Sequence, residues 1–223
     1  VVKLQDSPEA TSRPRGEIVE VLGNPRKAEV QAMLVAEQFS LPLQFSNKAS
    51  DEAGQRKPHP GPRDRSDFTE ILHYTIDGSD ARDFDDAVAV QKTRKGFRLF
   101  VSIADVSAYV QQGSTLDEEA YLRGTSVYFP GKVVPMLPEV LSNDLCSLTP
   151  GTEKLTVTAV IDYDRQGTVL GTDFHRSIIK SYQRFTYGTV KKILIDKDPK
   201  VRKSHKQFLT PLKWAAELAQ VLI

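Results

Sequence analysis

LTVTAVIDYDRQGTVLGTDFHRSIIKS, residues 155–181, is the stretch whose pattern decides the fold class. Leu155, Val157, Ala159, Ile161 and Tyr163 alternate with Thr156, Thr158 and Asp162, the period of two of a β-strand. Asp164-Arg165-Gln166-Gly167 reads as a hairpin turn, and Thr168 to Ser181 returns as a second long strand. Upstream, Phe97, Leu99, Val101 and Ile103 alternate with Arg98, Phe100 and Ser102, which predicts a half-buried strand. Thr93 to Gly96 form a turn before it. Ala87 to Gln91 and Ile71 to Asp77 predict two more strands, and Ser126 to Phe129 a short extended piece. Residues 115–124 carry a helical pattern, as do Thr186 to Ile195 and Gln207 to Ile223. Strands gathered first and helices later define an α+β chain.

The N-terminal third is different. Gly16 to Leu22 alternates as a short strand. Asn24-Pro25 reads as an N-cap followed by proline in the first helical turn. The helix then runs from Ala28 to Phe39 and ends at Leu41-Pro42. Residues 46–66 are polar, with Pro58, Pro60, Gly61 and Pro62, and predict an exposed connector.

Composition narrows the class. The chain has 223 residues, 39% hydrophobic and 26% charged. These values exclude collagen-like, fibrous and wholly disordered chains. No run approaches the ~20 apolar residues of a membrane helix. One cysteine excludes an internal disulfide framework and predicts a reducing, cytoplasmic setting. Lone Cys146 predicts a small buried apolar residue. His59, His73, His175 and His205 show no metal-ligand spacing. The chain starts at Val1 with no signal-like segment, and Val221-Leu222-Ile223 continue a helical pattern without a cap. The uncapped helix predicts a chain cut from something longer.

A net charge of +1 conceals two opposite regions. Residues 67–90 hold seven acids and one base, Arg82, a net of −6. Residues 174–206 hold ten Lys or Arg against Asp196 and Asp198, a net of +8. The pairing suits a metal site acting on a polyanion. Two differently charged solvated faces are the alternative.

The densest part is TIDGSDARDFDDAV, residues 75–88. Asp77, Asp80, Asp83, Asp85 and Asp86 repel one another, so an ordered segment needs cations or hydrogen bonds to offset them. Carboxylates in this number suit a hard cation such as Mg²⁺ or Mn²⁺. In an extended chain Asp83 and Asp85 share a face and Asp86 opposes it, so convergence requires a loop, which Gly78-Ser79-Asp80 allows. Two metal ions held by shared carboxylates can activate water and stabilise the leaving oxygen of a phosphodiester. An acidic surface loop is the bland alternative. A calcium loop fits poorly, because Asp77 in its first position would require Gly near Asp83 and Glu near Val88.

The same stretch closely resembles the catalytic signature of the ribonuclease II/ribonuclease R family. SIADVSAYV (102–110), RGTSVYFPGKVVPMLPEVLSNDLCSL (123–148), HRSIIKS (175–181) and RFTYGTV (184–190) resemble later family blocks in the same order. RPRGEIVEVLGNP (13–25) resembles the end of a cold-shock domain. The resemblance implies a hydrolytic, Mg²⁺-dependent 3′→5′ exoribonuclease that degrades single-stranded RNA processively to nucleoside 5′-monophosphates, with Mn²⁺ as the other candidate ion. It implies that Asp77, Asp83, Asp85 and Asp86 bind metal and that Asp85 matters most for chemistry. Asp80 is left out. It implies that Tyr128 packs on nucleotides and that Tyr187 contacts RNA near the ribose, where the 2′-hydroxyl marks RNA. Arg123 reads either as a phosphate contact or as a structural ion pair.

The resemblance also implies an organisation. Residues 1–23 are a C-terminal remnant of a β-barrel, oligonucleotide-binding domain. Residues 24–66 are a helical and Pro-rich connector. Residues 67–223 are the N-terminal part of a strand-rich catalytic domain that is incomplete at its C-terminus. The remaining part of that domain is then the expected partner. A truncated, non-catalytic RNA-binding fragment is the competing expectation.

Overall fold

Five strands close into a barrel in the order β3 (Ser66–Asp77), β4 (Asp86–Lys92), β5 (Gly96–Ala104), β8 (Glu153–Asp164) and β9 (Val169–Thr186). The computed structural model describes residues 1–5, 15–57 and 64–223. Pairing is antiparallel from β3 round to β9, and the barrel closes by a parallel pairing of β9 with β3. Ser66 lies beside Ser177 and Asp77 beside Thr186. A second small sheet, β6 (Val127–Phe129) with β7 (Lys132–Val134), stands on the excursion between β5 and β8. At the N-terminus β1 (Val2–Gln5) pairs with β2 (Arg15–Ile18) in a separate two-stranded sheet. The strand-rich start and helical end agree with the α+β class.

The barrel interior is polar where the alternation suggested an apolar face. Ser102, Thr156, Thr158 and Ser177 are all fully buried. Their hydroxyls form a chain: Ser102 to Thr158 at 2.7 Å, Thr158 to Ser177 at 2.6 Å and Ser177 to Thr156 at 2.8 Å. His73 on β3 meets Ser102 on β5 at 3.1 Å. Those strands are not neighbours, so the contact crosses the interior. Ile103 and Val157, apolar members of the alternation, face outward and are 47% and 40% exposed. A small barrel has room for short side chains at its centre, and hydroxyls are tolerated there because each finds a partner. Phe68, His73 and Phe100 fill the remaining space edge-to-face.

Three apolar clusters surround the barrel. Phe84, Ala87, Leu155 and Ile179 pack under α2 (Asn47–Gln55) and α3 (Thr115–Arg123). Tyr74 and Phe185 pack on α4 (Tyr187–Leu194) and on α6 (Leu209–Val221) through Ile193 and Leu212. Val90, Phe97 and Tyr163 pack against Leu218 of α6. A short α5 (Pro199–Ser204), capped by Asp198, joins α4 to α6.

Several local expectations need correction. The first helix, α1, runs Ala28–Gln38, but Lys27 is its N-cap. Asn24 Oδ1 instead accepts from the Arg26 amide, so Asn24-Pro25 forms a turn before the helix. The second strand ends at Ile18, short of Leu22. Residues 46–66 are not simply an exposed connector. Ser46 caps α2 through its bond from the Ala49 amide, and Ala49 and Ala53 are fully buried. Only two alanines carry that apolar stripe, too faint a signal in a polar sequence. The Pro58 to Pro62 part lies outside the described residues. Val140–Leu145 forms a π-helical turn, and α5 was also not foreseen. Gly167 occupies a left-handed conformation (φ 86°) in the β8–β9 turn, and a Cβ there would sit 2.7 Å from the Val221 carbonyl. The turn thus needs glycine for its backbone and for the approach of α6.

Candidate active site

The acidic loop spans the gap between two barrel strands. Asp77 is the last residue of β3 and Asp86 the first of β4, so residues 78–85 bridge one barrel end. Three contacts from other elements hold this bridge. Arg184 on β9 donates from Nη2 to the carbonyls of Gly78 and Ser79, at 2.5 and 2.9 Å. Ser147 accepts from the Phe84 amide and donates to the Arg82 carbonyl. The amides of Leu148 and Ala104 donate to the carbonyls of Phe84 and Asp85. Phe84 is buried in the first cluster and anchors the loop between Asp83 and Asp85. The side chains on either side of it are left facing outward from the core.

Asp77 and Asp83 are half-buried, and Asp85 and Asp86 are the more exposed pair though still partly shielded. They stand within electrostatic reach of one another. Partial burial, then the charges of Asp83, Asp86 and Asp77, push the Asp85 carboxyl above its ordinary range. Partial burial and Asp77 do the same to Asp86. No ion pair among the described residues involves Asp77, Asp80, Asp83, Asp85 or Asp86. Asp77 Oδ2 is buried without a hydrogen-bond partner. A carboxylate oxygen shielded from water and unpaired is costly unless a cation meets it. The donor set therefore fits a hard divalent ion. Among the described residues no three of His, Cys, Asp or Glu stand close enough together to hold an ion as placed, so the acids are gathered but not drawn tight.

Both predicted tyrosines lie at this barrel end. Tyr128 on β6 donates to Asp83 Oδ2 at 2.6 Å, and its ring is 62% exposed. That bond, with some burial, pushes its phenol up to about 12. Tyr187 opens α4 directly after Thr186, the strand partner of Asp77, and is 68% exposed. Neither ring is core. A cleft of about 700 Å³ runs between the loop and the β6–β7 hairpin, lined by Asp83, Tyr128, Phe129, Lys132, Ser142 and Asn143 among others.

Other candidates resolve as structural. Arg123 donates to the carbonyls of Pro42, Gln44 and Pro135, and its guanidinium stacks 3.6 Å from the Phe45 ring centroid. It is a brace, not a phosphate contact. Cys146 is buried, and burial pushes its thiol up to about 12, so it is no nucleophile at neutral pH. The loop-holding roles of Arg184 and Ser147 were missed. Both lie in motifs singled out for resemblance, but no spacing rule connects either to residues 78–84.

The arrangement joins a gathered set of uncompensated carboxylates, two exposed aromatic rings and a cleft on one side of a closed barrel. Residues 65–223 match the RNB domain, and residues 1–46 match a cold shock domain. The chain belongs to the RNB-domain family. Within it, the chain is similar to ribonuclease R from Aquifex aeolicus, 37% identical over 226 residues that cover all of this chain and 32% of that protein. The solved structure of Mycoplasma genitalium RNase R in complex with ribose methylated single-stranded RNA superposes with a TM-score of 0.83 at 31% identity, covering 93% of this chain and 32% of that one. Yeast Ssd1, a pseudonuclease, shares the fold with a TM-score of 0.64 at 21% identity, over 87% of this chain and 25% of that one. The chain thus spans about a third of the length of its ribonuclease R relatives. The cold shock match at the N-terminus agrees with a remnant of an oligonucleotide-binding barrel there.

Proposed function

We propose that the protein carrying this chain is a cytoplasmic, metal-dependent 3′→5′ exoribonuclease that degrades single-stranded RNA processively to nucleoside 5′-monophosphates. The observation that carries this reading is the group of four carboxylates at the barrel end that have no ion-pair partner among the described residues. Asp77, Asp83, Asp85 and Asp86 would hold Mg²⁺, with Mn²⁺ as the other ion of suitable hardness. Bound there, the ion would supply an activated water and neutralise charge on the departing oxygen.

The chain's own residues do the rest. Asp85 stands among the three other acids, where a change to an amide removes both a ligand and a proton acceptor at its carboxylate. Tyr128 presents a ring on which a base can stack whatever its identity, which suits a sequence-tolerant nuclease. Tyr187 stands beside the strand end that carries Asp77, in reach of a ribose whose 2′-hydroxyl would distinguish RNA. Arg184 is committed to carbonyls, so the positive group that faces the developing phosphorane charge would come from the remainder of the domain, its natural partner.

The decisive measurement uses 5′-labelled and uniformly labelled single-stranded RNA and Mg²⁺ with the protein carrying this chain. Asp85→Asn is expected to lower turnover by about 10²-fold or more, with RNA affinity held within about twofold. Products should be mononucleotides bearing 5′-phosphate, with little intermediate ladder. An Asp85→Asn variant of undiminished activity would sink the assignment. The runner-up is an RNA-binding module without chemistry. Exposed Lys191, Lys192, Lys200, Lys203 and Lys206 have no ion-pair partner among the described residues and favour it. It predicts salt-sensitive binding of single strands and no turnover even with Mn²⁺.

A further inference from the structure

We propose that Arg184 is a positioning residue for the metal site, a latch that holds the acidic loop in its binding shape without neutralising it. The inference rests on the metal-site reading above. Arg184 pairs with Thr75 across the β9–β3 closure, two residues before the strand end at Asp77. From that fixed base its Nη2 reaches two successive carbonyls, Gly78 and Ser79. Its guanidinium carbon lies 5.5 Å from the centroid of the Phe84 ring, the residue between Asp83 and Asp85. It therefore touches the loop at its start and at its anchor.

What it does not touch matters equally. Arg184 makes no ion pair with Asp77, Asp80, Asp83, Asp85 or Asp86. A guanidinium beside carboxylates ordinarily forms a bidentate pair. Here its donors are directed at backbone oxygens, and its Nε is buried without a partner. The consequence is specific. The four carboxylates keep their negative potential for an incoming cation, while the loop that carries Asp83 and Asp85 cannot spread away from Asp77 and Asp86 under their mutual repulsion. Ser147 and the Leu148 amide hold the other side of the loop. Arg184 is the tie on the β3 side. Groups that orient first ligands in this way change metal affinity more than they change substrate affinity.

The test compares wild type, Arg184→Gln and Arg184→Lys in the full-length protein. Mn²⁺ binding is followed by electron paramagnetic resonance and RNA affinity is measured in EDTA. Arg184→Gln should weaken Mn²⁺ about tenfold or more, and leave RNA affinity in EDTA within about twofold. Excess Mg²⁺ should then recover most of the lost turnover, because the acids themselves remain. Arg184→Lys keeps a cationic donor for the carbonyls and should fall between the two. It carries the test if Arg184→Gln does not fold. Ile179→Val in the buried core serves as the control for general loosening: it should lower the melting temperature without moving metal affinity. Unchanged Mn²⁺ affinity in a folded Arg184 variant overturns the proposal, as does a loss of RNA affinity with metal affinity intact. A wild-type protein that binds no Mn²⁺ overturns the functional reading instead.

Discussion

Asp85 lies within electrostatic reach of Asp77, Asp83 and Asp86, and none of the four has an ion pair among the described residues, which shapes what single residues do. Burial and like charge disfavour the ionised forms of Asp85 and Asp86, so the ion-free protein carries a repulsive strain at neutral pH. Removing one charge relieves it. Asp85→Asn should therefore raise the melting temperature in EDTA by a few degrees, about 2–4 °C per kcal/mol for a chain of this size. Mg²⁺ should raise the melting temperature of wild type and do so much less in the variant. Calorimetric scans with and without Mg²⁺ check both. His73 behaves oppositely. Burial in the barrel pushes its imidazole down to about 4 from 6.5. The unfolded chain takes up that proton below about 6.5, the folded one only near 4. Stability is fully present above this window and is lost as pH falls through it, by up to about 1.4 kcal/mol per pH unit. His73→Gln should flatten the slope in urea titrations between those limits. Motif resemblance marked the four acids and both tyrosines, and the structure gathers them at one barrel end. The roles of Arg184 and Ser147 were not legible, since they act through backbone atoms, which no side-chain pattern reveals.

Elements show where the pattern misled. The period of β8 was legible and its facing was not. Alternation fixes which residues share a face but not which face is inside. In this barrel the hydroxyls of Thr156 and Thr158 go inward and Val157 goes out. Replacing Thr158 with Val should therefore leave Ser102 and Ser177 short of a partner and destabilise the protein by about 1–3 kcal/mol. A purely apolar interior would predict the opposite, so the sign of the change in urea midpoint decides between them. The helix α2 was missed because its buried stripe consists of Ala49 and Ala53 alone. Those small residues let it lie close against α3, and Ala53→Leu should overpack the contact and cost about 1–3 kcal/mol. The Asp164–Gly167 turn was legible because its chemistry is local. Asp164 Oδ1 accepts from the amides of Gln166 and Thr168, both at 2.8 Å. Gly167→Ala should be destabilising by more than about 1 kcal/mol, since the new methyl would meet the Val221 carbonyl.

Across the whole molecule, strand content was readable and closure was not. Nothing local in Ser66 to Asp77 announces that it pairs in parallel with a strand a hundred residues later. That pairing depends on the β4–β5–β8–β9 meander curling back, a property of the assembled sheet. The same closure has a consequence in time. A chain made from its N-terminus forms Asp77, Asp83, Asp85 and Asp86 early, but Arg184 and Thr186 come much later. Gly78 and Arg184 are separated by 106 positions, or about 5–20 s of synthesis at ordinary elongation rates. During that interval the acids are present on the growing polypeptide and the site is not. On the functional reading proposed above, the site would stay unassembled beside the message until β9 has emerged. Nascent chains stalled before β9 should fail to retain Mn²⁺, and those stalled well beyond Thr186 should hold it.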